Sequence, residues 1–364
     1  MDSKLYSNFD YESALGVQPG IAQPSQVNNA YLERMQALRK KEPTVDELVE
    51  GIINGNRVVL SRAITLVESS RHDHQVKAQQ VIERCLPYSG RSVRLGITGV
   101  PGAGKSTTIE ALGTYLTSKG HKVAVLAIDP SSERTKGSIL GDKTRMEALS
   151  VDENAFIRPS PSAGSLGGVA RKTREIILLC EAAGFDVVIV ETVGVGQSEV
   201  AAHGMVDFFL LLQLANTGDE LQGIKRGIME MADMIAINKC DIDKERSELA
   251  ASRFRNALHL FPLPESGWPV KVRLCSAESH FGIAELWNDV TEYVAYAKST
   301  GYFDQKRQLQ NFKILKETIE QSLLDRFYNA PDMESKLAAV KQQILEGKVS
   351  AYQAADALLQ DTCL

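Results

Sequence analysis

The sequence contains few cysteines, and they are not arranged in pairs. Five cysteines occur in 364 residues, far apart and without a Cys-x-x-Cys spacing. This excludes a disulfide-rich scaffold and a cysteine-based zinc or redox site, and it favours a reducing compartment. The first residues show neither the apolar core of a secretion signal nor the arginine-rich, acid-poor bias of a transit peptide. We therefore expect a cytoplasmic protein.

Long apolar runs and a strong charge of one sign are also missing. No run approaches the roughly 20 apolar residues of a membrane-spanning helix. The 41 Lys and Arg against 46 Asp and Glu give a net charge of -5, too weak for whole-chain attraction to nucleic acid or an anionic membrane. With 43% apolar and 24% charged residues, the composition is that of a globular protein of one large domain with additions, or of two domains.

Apolar periodicity divides the chain into four regions. Residues 1–42 show little periodicity and are predicted to form an N-terminal arm, apart from a short helix over 31–40. Residues 43–90 carry three apolar stripes at helical spacing, which predict a small helical subdomain. Residues 91–298 alternate between strand-like and helix-length segments, and residues 299–364 return to helical spacing.

Six short apolar runs in the third region have the character of buried parallel strands. Most are separated by helix-length segments, which predicts a doubly wound, mostly parallel α/β sheet. Ligands of such sheets bind beyond the carboxyl ends of the strands, so functional residues should follow the runs directly. The predicted strands are Val93–Thr98, Val123–Ile128, Val187–Val190, Val206–Leu212, Met234–Ile237 and Val270–Leu274.

A glycine-rich sequence follows the first predicted strand and precedes a helix. It matches the pattern Gly-x4-Gly-Lys-Ser/Thr, in which backbone amides enclose phosphates and the helix N-terminus adds its positive dipole end. Lys105 is expected to reach the β- and γ-phosphates, and Ser106 to offer its hydroxyl to magnesium. The predicted nucleotide-binding loop consists of Gly99, Val100, Pro101, Gly102, Ala103, Gly104, Lys105, Ser106 and Thr107.

Two later segments indicate which base is bound. After the strand that ends at Ile237, the sequence Asn-Lys-Cys-Asp places a carboxylate that can accept hydrogen bonds from guanine N1 and N2, while the lysine stem can cover the base. After the next strand, Ser-Ala-Glu-Ser resembles a loop whose amides face guanine O6 and whose serine steadies the Asp-bearing loop. This favours GTP over ATP. The predicted base-contacting residues are Asn238, Lys239, Asp241, Ser276, Ala277, Glu278 and Ser279.

Three carboxylates compete as magnesium ligands, since this ion prefers oxygen. Asp129 ends the second predicted strand, Asp142 lies in a polar stretch, and Glu191, the best placed, ends a buried strand. Gly194 is predicted to offer its amide to the γ-phosphate. The next residue is Val195 rather than the glutamine that orients water in Ras-like proteins, so we expect slow intrinsic hydrolysis. Candidates for assisting the reaction are Gln197, Arg145 and Lys225.

Several long motifs resemble one family closely. Among them are Gly-Ser-Ile-Leu-Gly-Asp-Lys-Thr-Arg-Met at 137–146, Glu-Thr-Val-Gly-Val-Gly-Gln-Ser-Glu at 191–199 and Gly-Asp-Glu-Leu-Gln-Gly-Ile-Lys-Arg-Gly at 218–227. They look like the MeaB/ArgK GTPases, metallochaperones of methylmalonyl-CoA mutase. The resemblance covers at least residues 44–300. Lys136 departs from it, because a small residue would be expected in a glycine-rich first switch.

The resemblance implies a homodimeric P-loop GTPase that binds the mutase, gates the delivery of adenosylcobalamin and helps discard inactivated cofactor, with the adenosyltransferase as a further partner. It also implies that the C-terminal helices form the dimer and that residues 214–225 form an extra switch facing the mutase. The predicted catalytic residues are Lys105, Glu191 and Lys225. By the same resemblance, phosphate, magnesium and base roles fall to Lys105, Ser106, Asp129, Asp142, Glu191 and Asp241.

Several alternatives stay open. A nickel chaperone of the same branch would need a Cys/His cluster, for which the chain offers only the His-Asp-His of residues 72–74 in a polar stretch. An ATP-dependent small-molecule kinase would use the same phosphate loop but has no need of Asp241. A scaffold that binds nucleotide without turnover fits the missing glutamine. The sequence also leaves open which acyl-CoA mutase is the client.

Overall fold

A seven-stranded sheet forms the centre of the structure, a computed structural model that describes residues 42–128, 146–160, 166–192, 198–215 and 226–361. The strands are β1 (Val93–Gly99), β2 (Val123–Ile128), β3 (Ala155–Ser160), β4 (Val187–Thr192), β5 (Phe208–Leu214), β6 (Met234–Asn238) and β7 (Lys271–Leu274). All neighbours pair in parallel, in the order β3-β2-β4-β1-β5-β6-β7. The predicted doubly wound α/β class is confirmed.

Helices cover both faces of the sheet. The helices are α1 (Val45–Ile53), α2 (Arg57–Glu68), α3 (His72–Cys85), α4 (Lys105–Ser118), α5 (Glu147–Val151), α6 (Leu166–Ala182), α7 (Ser198–His203), α8 (Arg226–Met231), α9 (Lys244–Leu258), α10 (Ile283–Ser299), α11 (Tyr302–Tyr328), α12 (Met333–Leu345) and α13 (Ala351–Asp361). One face of the sheet packs on α4 and α10, and the other on α6, α7, α8 and α9, with α1 to α3 stacked outside α6. Leu86–Tyr88 adds one turn of 3-10 helix.

The predicted strands all occur, each within two residues of its predicted ends. Edge strand β3 was not predicted, because its sequence Ala-Phe-Ile-Arg-Pro-Ser has no continuous apolar run. Pro159 is tolerated there because an edge strand has one side without ladder partners. The predicted strand Val206–Leu212 is shifted to Phe208–Leu214, since Val206 and Asp207 belong to the turn that enters it.

The N-terminal and C-terminal helices follow the predicted stripes. Leu48, Ile64 and Val81 are buried between α1, α2 and α3, whereas Val76 of α3 is 46% exposed. The helical spacing after residue 298 corresponds to the long helix α11 and the shorter helices α12 and α13. The boundaries of the four regions stay a prediction. No helix of the described segments is long and apolar enough to cross a membrane.

A buried network of charges joins α11 to the amino ends of β1 and β5. Arg307 donates from Nε and Nη2 to the two carboxylate oxygens of Asp207 at 2.8 and 2.7 Å. Lys306 donates to the Asp207 carbonyl at 2.7 Å. Beside them, Arg94 pairs with the buried Glu181 at 2.8 Å and donates its backbone amide to Asp207. Each charge in this cluster has a partner of opposite charge or a hydrogen bond, which offsets the desolvation penalty of burying it.

Candidate functional site

The phosphate loop lies at the carboxyl end of β1, in the middle of the sheet. Gly102 and Gly104 have φ angles of 80° and 86°, in the left-handed region that favours glycine. Gly99 has a φ of 154°, and a Cβ there would lie 2.3 Å from the carbonyl oxygen of Leu212 on β5. The loop therefore needs glycine both for its turns and for its close approach to the neighbouring strand.

Lys105 begins α4 and folds back over the loop. Its Nζ donates to the carbonyl of Gly99 at 3.0 Å and approaches that of Val100 at 3.4 Å. Burial lowers the pKa of the Lys105 ammonium, and the carboxylates of Glu191 and Glu199 oppose that shift. An ammonium held only by backbone carbonyls can turn to a phosphate, which is a stronger, charge-assisted acceptor.

Ser106 and Glu191 meet where β1 and β4 end. The Ser106 hydroxyl donates to Oε1 of Glu191 at 3.0 Å, and the residue Glu191 is 6% exposed. On the opposite face of the sheet, Thr192 donates to Thr98 at 2.8 Å and ties the two strand ends together. A hydroxyl and a carboxylate at hydrogen-bond distance are two hard oxygen donors of the kind magnesium binds.

Asn238 connects the phosphate loop to the loops predicted to contact the base. Its Nδ2 donates to the carbonyl of Ala103 at 2.8 Å, and its Oδ1 accepts from the amide of Ala277 at 3.1 Å. The Cys275 thiol lies 3.7 Å from the same oxygen, and burial raises the pKa of that thiol to about 12, so it stays protonated and can donate. Both ends of the buried amide are thus used by the protein itself.

The residues predicted to face the base lie beside Asn238. Lys239 has a φ of 61°, and its Cε lies 3.8 Å from where a Cβ on Gly104 would be, so its stem runs next to the phosphate loop. Both Lys239 and Asp241 are exposed and accessible to a ligand. Cys240 donates its amide to the carbonyl of Cys275 at 3.2 Å, which joins the two base loops.

In the loop after β7, the serine was expected to steady the Asp-bearing loop, but its observed hydrogen bond lies within its own loop. The Ser276 hydroxyl accepts the amide of Ser279 at 3.2 Å, so it organises its own turn rather than the Asp-bearing loop. Ser276 and Ala277 are buried, whereas Glu278 and Ser279 are exposed. The connection between the two base loops comes instead from the backbone and from Asn238.

Several predicted residues lie outside the described segments, so their positions stay predictions. They are the magnesium candidates Asp129 and Asp142, the γ-phosphate contact Gly194, the catalytic candidate Lys225, and the alternatives Gln197 and Arg145.

Sequence reasoning gave no role to two features of the site. Glu199 on α7 is 7% exposed, and its charge acts on Lys105, although it was noted only as part of a motif. The Thr98–Thr192 pair had no pattern of its own, because its two halves are 94 residues apart. A polar residue that ends an otherwise apolar strand was the available signal for both threonines.

Asp73 and His74 of the alternative nickel site make local contacts. Asp73 pairs with Arg71, and His74 Nδ1 lies 2.9 Å from the Ser69 hydroxyl. No group of three or more His, Cys, Asp or Glu that could hold a metal occurs in the described part of the chain.

A parallel sheet with this phosphate loop and an adjoining Asn-Lys-x-Asp segment defines a P-loop GTPase. A family model described as "Methylmalonyl Co-A mutase-associated GTPase MeaB" matches residues 60–332. The chain belongs to this family.

Individual relatives agree with this assignment. A "Putative GTPase" of Caulobacter vibrioides is 51% identical over 315 residues, which are 86% of this chain and 97% of the relative. The mouse "Methylmalonic aciduria type A homolog, mitochondrial" is 43% identical over 332 residues, 88% of this chain and 80% of the relative. A solved structure titled "Crystal structure of LAO/AO transport system kinase" superposes with a TM-score of 0.70 at 38% identity and covers 88% of this chain and 98% of its own. The predicted family and GTPase class are confirmed.

Proposed function

We propose that this GTPase is a chaperone of methylmalonyl-CoA mutase that gates the loading, protection and reactivation of the mutase with adenosylcobalamin. The observation that carries the proposal is the match of residues 60–332 to the family named for its association with that mutase. The intact phosphate loop and the Ser106–Glu191 pair support a working nucleotide site within that match. The adenosyltransferase is a further proposed partner.

In the proposed reaction the chain's own residues bind and orient GTP. Lys105 leaves the Gly99 carbonyl for the β- and γ-phosphates, and Asp241 accepts hydrogen bonds from the guanine edge. Ser106 and Glu191, with Asp129 and Asp142 as further proposed ligands, would hold Mg²⁺. That ion would neutralise charge on the phosphates.

Hydrolysis without a partner is proposed to be slow. The residue after Gly194 is Val195, so the side chain that orients water in Ras-like GTPases is missing from its usual place. We propose that the client completes the site and that Lys225, together with the rest of 214–225, responds to it. Partner stimulation then ties GTP turnover to the state of the mutase.

The protein is proposed to act as a homodimer through its C-terminal helices. A row of large apolar side chains on α11 is more than 40% exposed, and within the described residues of this chain nothing covers it. Such a row would leave several hundred Å² of apolar surface in water, more than a monomer usually exposes. A second copy is the proposed cover. The row consists of Leu309, Phe312, Leu315, Ile319 and Leu323.

The test is GTP turnover by the purified protein, with ATP as control, alone and with methylmalonyl-CoA mutase from the same source. We expect a slow rate specific for GTP that rises at least tenfold with the mutase, on the scale of partner-stimulated GTPases. Unchanged GTP turnover with this mutase would leave the GTPase intact but remove this client, and the isobutyryl- and ethylmalonyl-type mutases would be tested next. ATP turnover equal to that of GTP would remove guanine recognition by Asp241.

A further inference from the structure

Helix α11 has a second, polar face that is directed toward the body of the protein. Lys306, Gln310, Lys313 and Glu317 are spaced by four, three and four residues, so they lie along one side of the helix. This side is separate from the apolar row that begins at Leu309. The polar side packs against the segment that directly follows α7. Helix α7 is the short helix that comes after β4, the strand that contains Glu191.

Gln310 makes the most buried of these contacts. The residue is 8% exposed, and its Nε2 donates to the carbonyl of Val206 at 2.8 Å. Val206 lies three residues beyond the last residue of α7 and is itself fully buried. Because a buried carbonyl without a donor is costly, this bond fixes where the chain leaves α7.

Glu317 reaches the same place through Arg174 of α6. Its Oε2 accepts from Nη1 of Arg174 at 2.5 Å, and the Arg174 side chain is 8% exposed. The other end of that guanidinium lies against Gly204, because a Cβ there would be 3.3 Å from Arg174 Nη2. Glu317 therefore holds a buried arginine against the residue that directly follows α7.

The last residue of α7, His203, packs beside this region. Its ring lies edge-on to Phe209 at 5.5 Å between centroids, and burial, followed by the charges of Lys306 and Lys313, lowers the pKa of its imidazole. The chain that directly follows α7 is thus held by one side of a single helix, through Val206 and through Arg174. This part of the chain cannot shift without breaking a buried hydrogen bond or displacing the buried guanidinium of Arg174.

The other end of α7 belongs to the nucleotide site. The helix packs on β1 and β4, and the charge of its buried Glu199 opposes the lowering of the Lys105 pKa by burial. A helix between the lysine expected at the γ-phosphate and the polar side of α11 can connect the two regions. The position of α7 sets the position of the Glu199 carboxylate when a γ-phosphate binds.

We propose that Gln310 and Glu317 are positioning residues for GTP, because they hold α7 in the orientation that distinguishes GTP from GDP. The inference rests on the proposed nucleotide roles of Lys105 and Glu191 and extends them to α11. If α7 is released, it must be ordered again whenever a γ-phosphate binds, and that loss of entropy weakens GTP alone. GDP has no γ-phosphate, so its binding should be unaffected.

The experiment measures the dissociation constants of GDP and of a non-hydrolysable GTP analogue for the full chain. The variants are Gln310→Ala, Glu317→Ala and Glu317→Gln, which keeps an oxygen for Arg174. The matched control is Glu320→Ala, which removes an exposed ion pair with Lys316 at 3.8 Å one turn further along the same helix. The Glu317 side chain is 37% exposed but its partner Arg174 is buried, so Glu317→Gln, which keeps an oxygen for the guanidinium, separates loss of charge from loss of the buried contact.

We expect the two alanine variants to weaken the GTP analogue about five- to tenfold with GDP changed less than twofold, while Glu317→Gln stays nearer the wild type. Glu320→Ala should change neither constant. Equal weakening of both nucleotides would show a general structural role and overturn the proposal, as would wild-type affinities in both alanine variants. A wild-type chain that fails to bind guanine nucleotides would instead refute the proposed GTPase site, so the two failures are distinguishable.

Discussion

The strands of the central sheet have an amino edge, where they begin, and a carboxyl edge, where they end. These two edges hold buried charge in opposite ways. At the amino edge Arg307, Asp207, Arg94 and Glu181 bind one another, so their charges are satisfied within the fold. At the carboxyl edge the Lys105 ammonium is held by backbone carbonyls of its own loop. The amino edge is built for stability, and the carboxyl edge keeps a charge available for a ligand.

The pKa values show the same difference. Although burial alone would lower the pKa of Arg307, it is raised because Asp207 binds the guanidinium. The pKa of Lys105 is lowered, because burial outweighs the carboxylates nearby. A buried cation with incomplete compensation gains most from a phosphate, which supports the proposed ligand site at the carboxyl edge.

The largest effect is expected when the amino edge is broken. Arg307→Met removes one partner of a buried pair and leaves Asp207 without its guanidinium, which should lower the free energy of unfolding by about 3–5 kcal/mol. Urea unfolding measures this change in the free energy of unfolding. Lys316→Met is the control, since its ion pair is exposed and should contribute less than about 1 kcal/mol. Equal effects of the two variants would show that the amino-edge network does not stabilise the fold.

Breaking the carboxyl edge should cost binding rather than stability. Lys105→Ala is expected to weaken GTP about 100-fold, close to 3 kcal/mol, because the phosphates lose their buried cation. Without nucleotide its unfolding free energy should change by less than about 1 kcal/mol, because only bonds to backbone carbonyls are lost. Calorimetric titration with GTP and urea unfolding measure the two quantities. Normal GTP affinity would remove Lys105 from phosphate binding.

A substitution at Asp241 tests the proposed recognition of the base at the carboxyl edge. Asp241→Asn should weaken GTP by roughly 10- to 100-fold and favour xanthine nucleotides, because the amide presents a different pattern of donors and acceptors to the base. Competition between GTP and XTP measures the preference. Because Asp241 is exposed, its replacement should leave the fold unchanged. A variant that still prefers guanine would show that another residue reads the base.

The smallest effect concerns pH and the end of α7. Burial lowers the pKa of His203 from 6.5 to about 4, so between these values the unfolded chain binds a proton that the folded chain does not. Stability should therefore fall as pH falls through this window, by about 1 kcal/mol between pH 6.5 and 5.5 from this residue. The difference in unfolding free energy between the two pH values should shrink by that amount in His203→Phe. An identical pH dependence in both proteins would contradict a neutral His203.

The carboxyl edge was largely predictable from sequence, and the amino edge was not. Phosphate loops and Asn-Lys-x-Asp segments are short contiguous patterns whose glycines and charges have local geometric reasons. The Arg307–Asp207 pair joins residues 100 positions apart, and no local pattern marks it. The same reason hid the Gln310–Val206 bond. Edge strand β3 was missed because neither apolar length nor alternation distinguishes it from a loop.

Asn238 has a consequence for how this site can change over evolutionary time. A single side chain fastens the loop that surrounds the phosphates to the loop that faces the base, so neither loop can be remodelled without the other. Of the residues proposed to contact the base, Lys239, Asp241, Glu278 and Ser279 are exposed, so they can be exchanged while the fastening stays in place. A lineage could acquire a new base preference at these exposed positions and keep its phosphate chemistry unchanged.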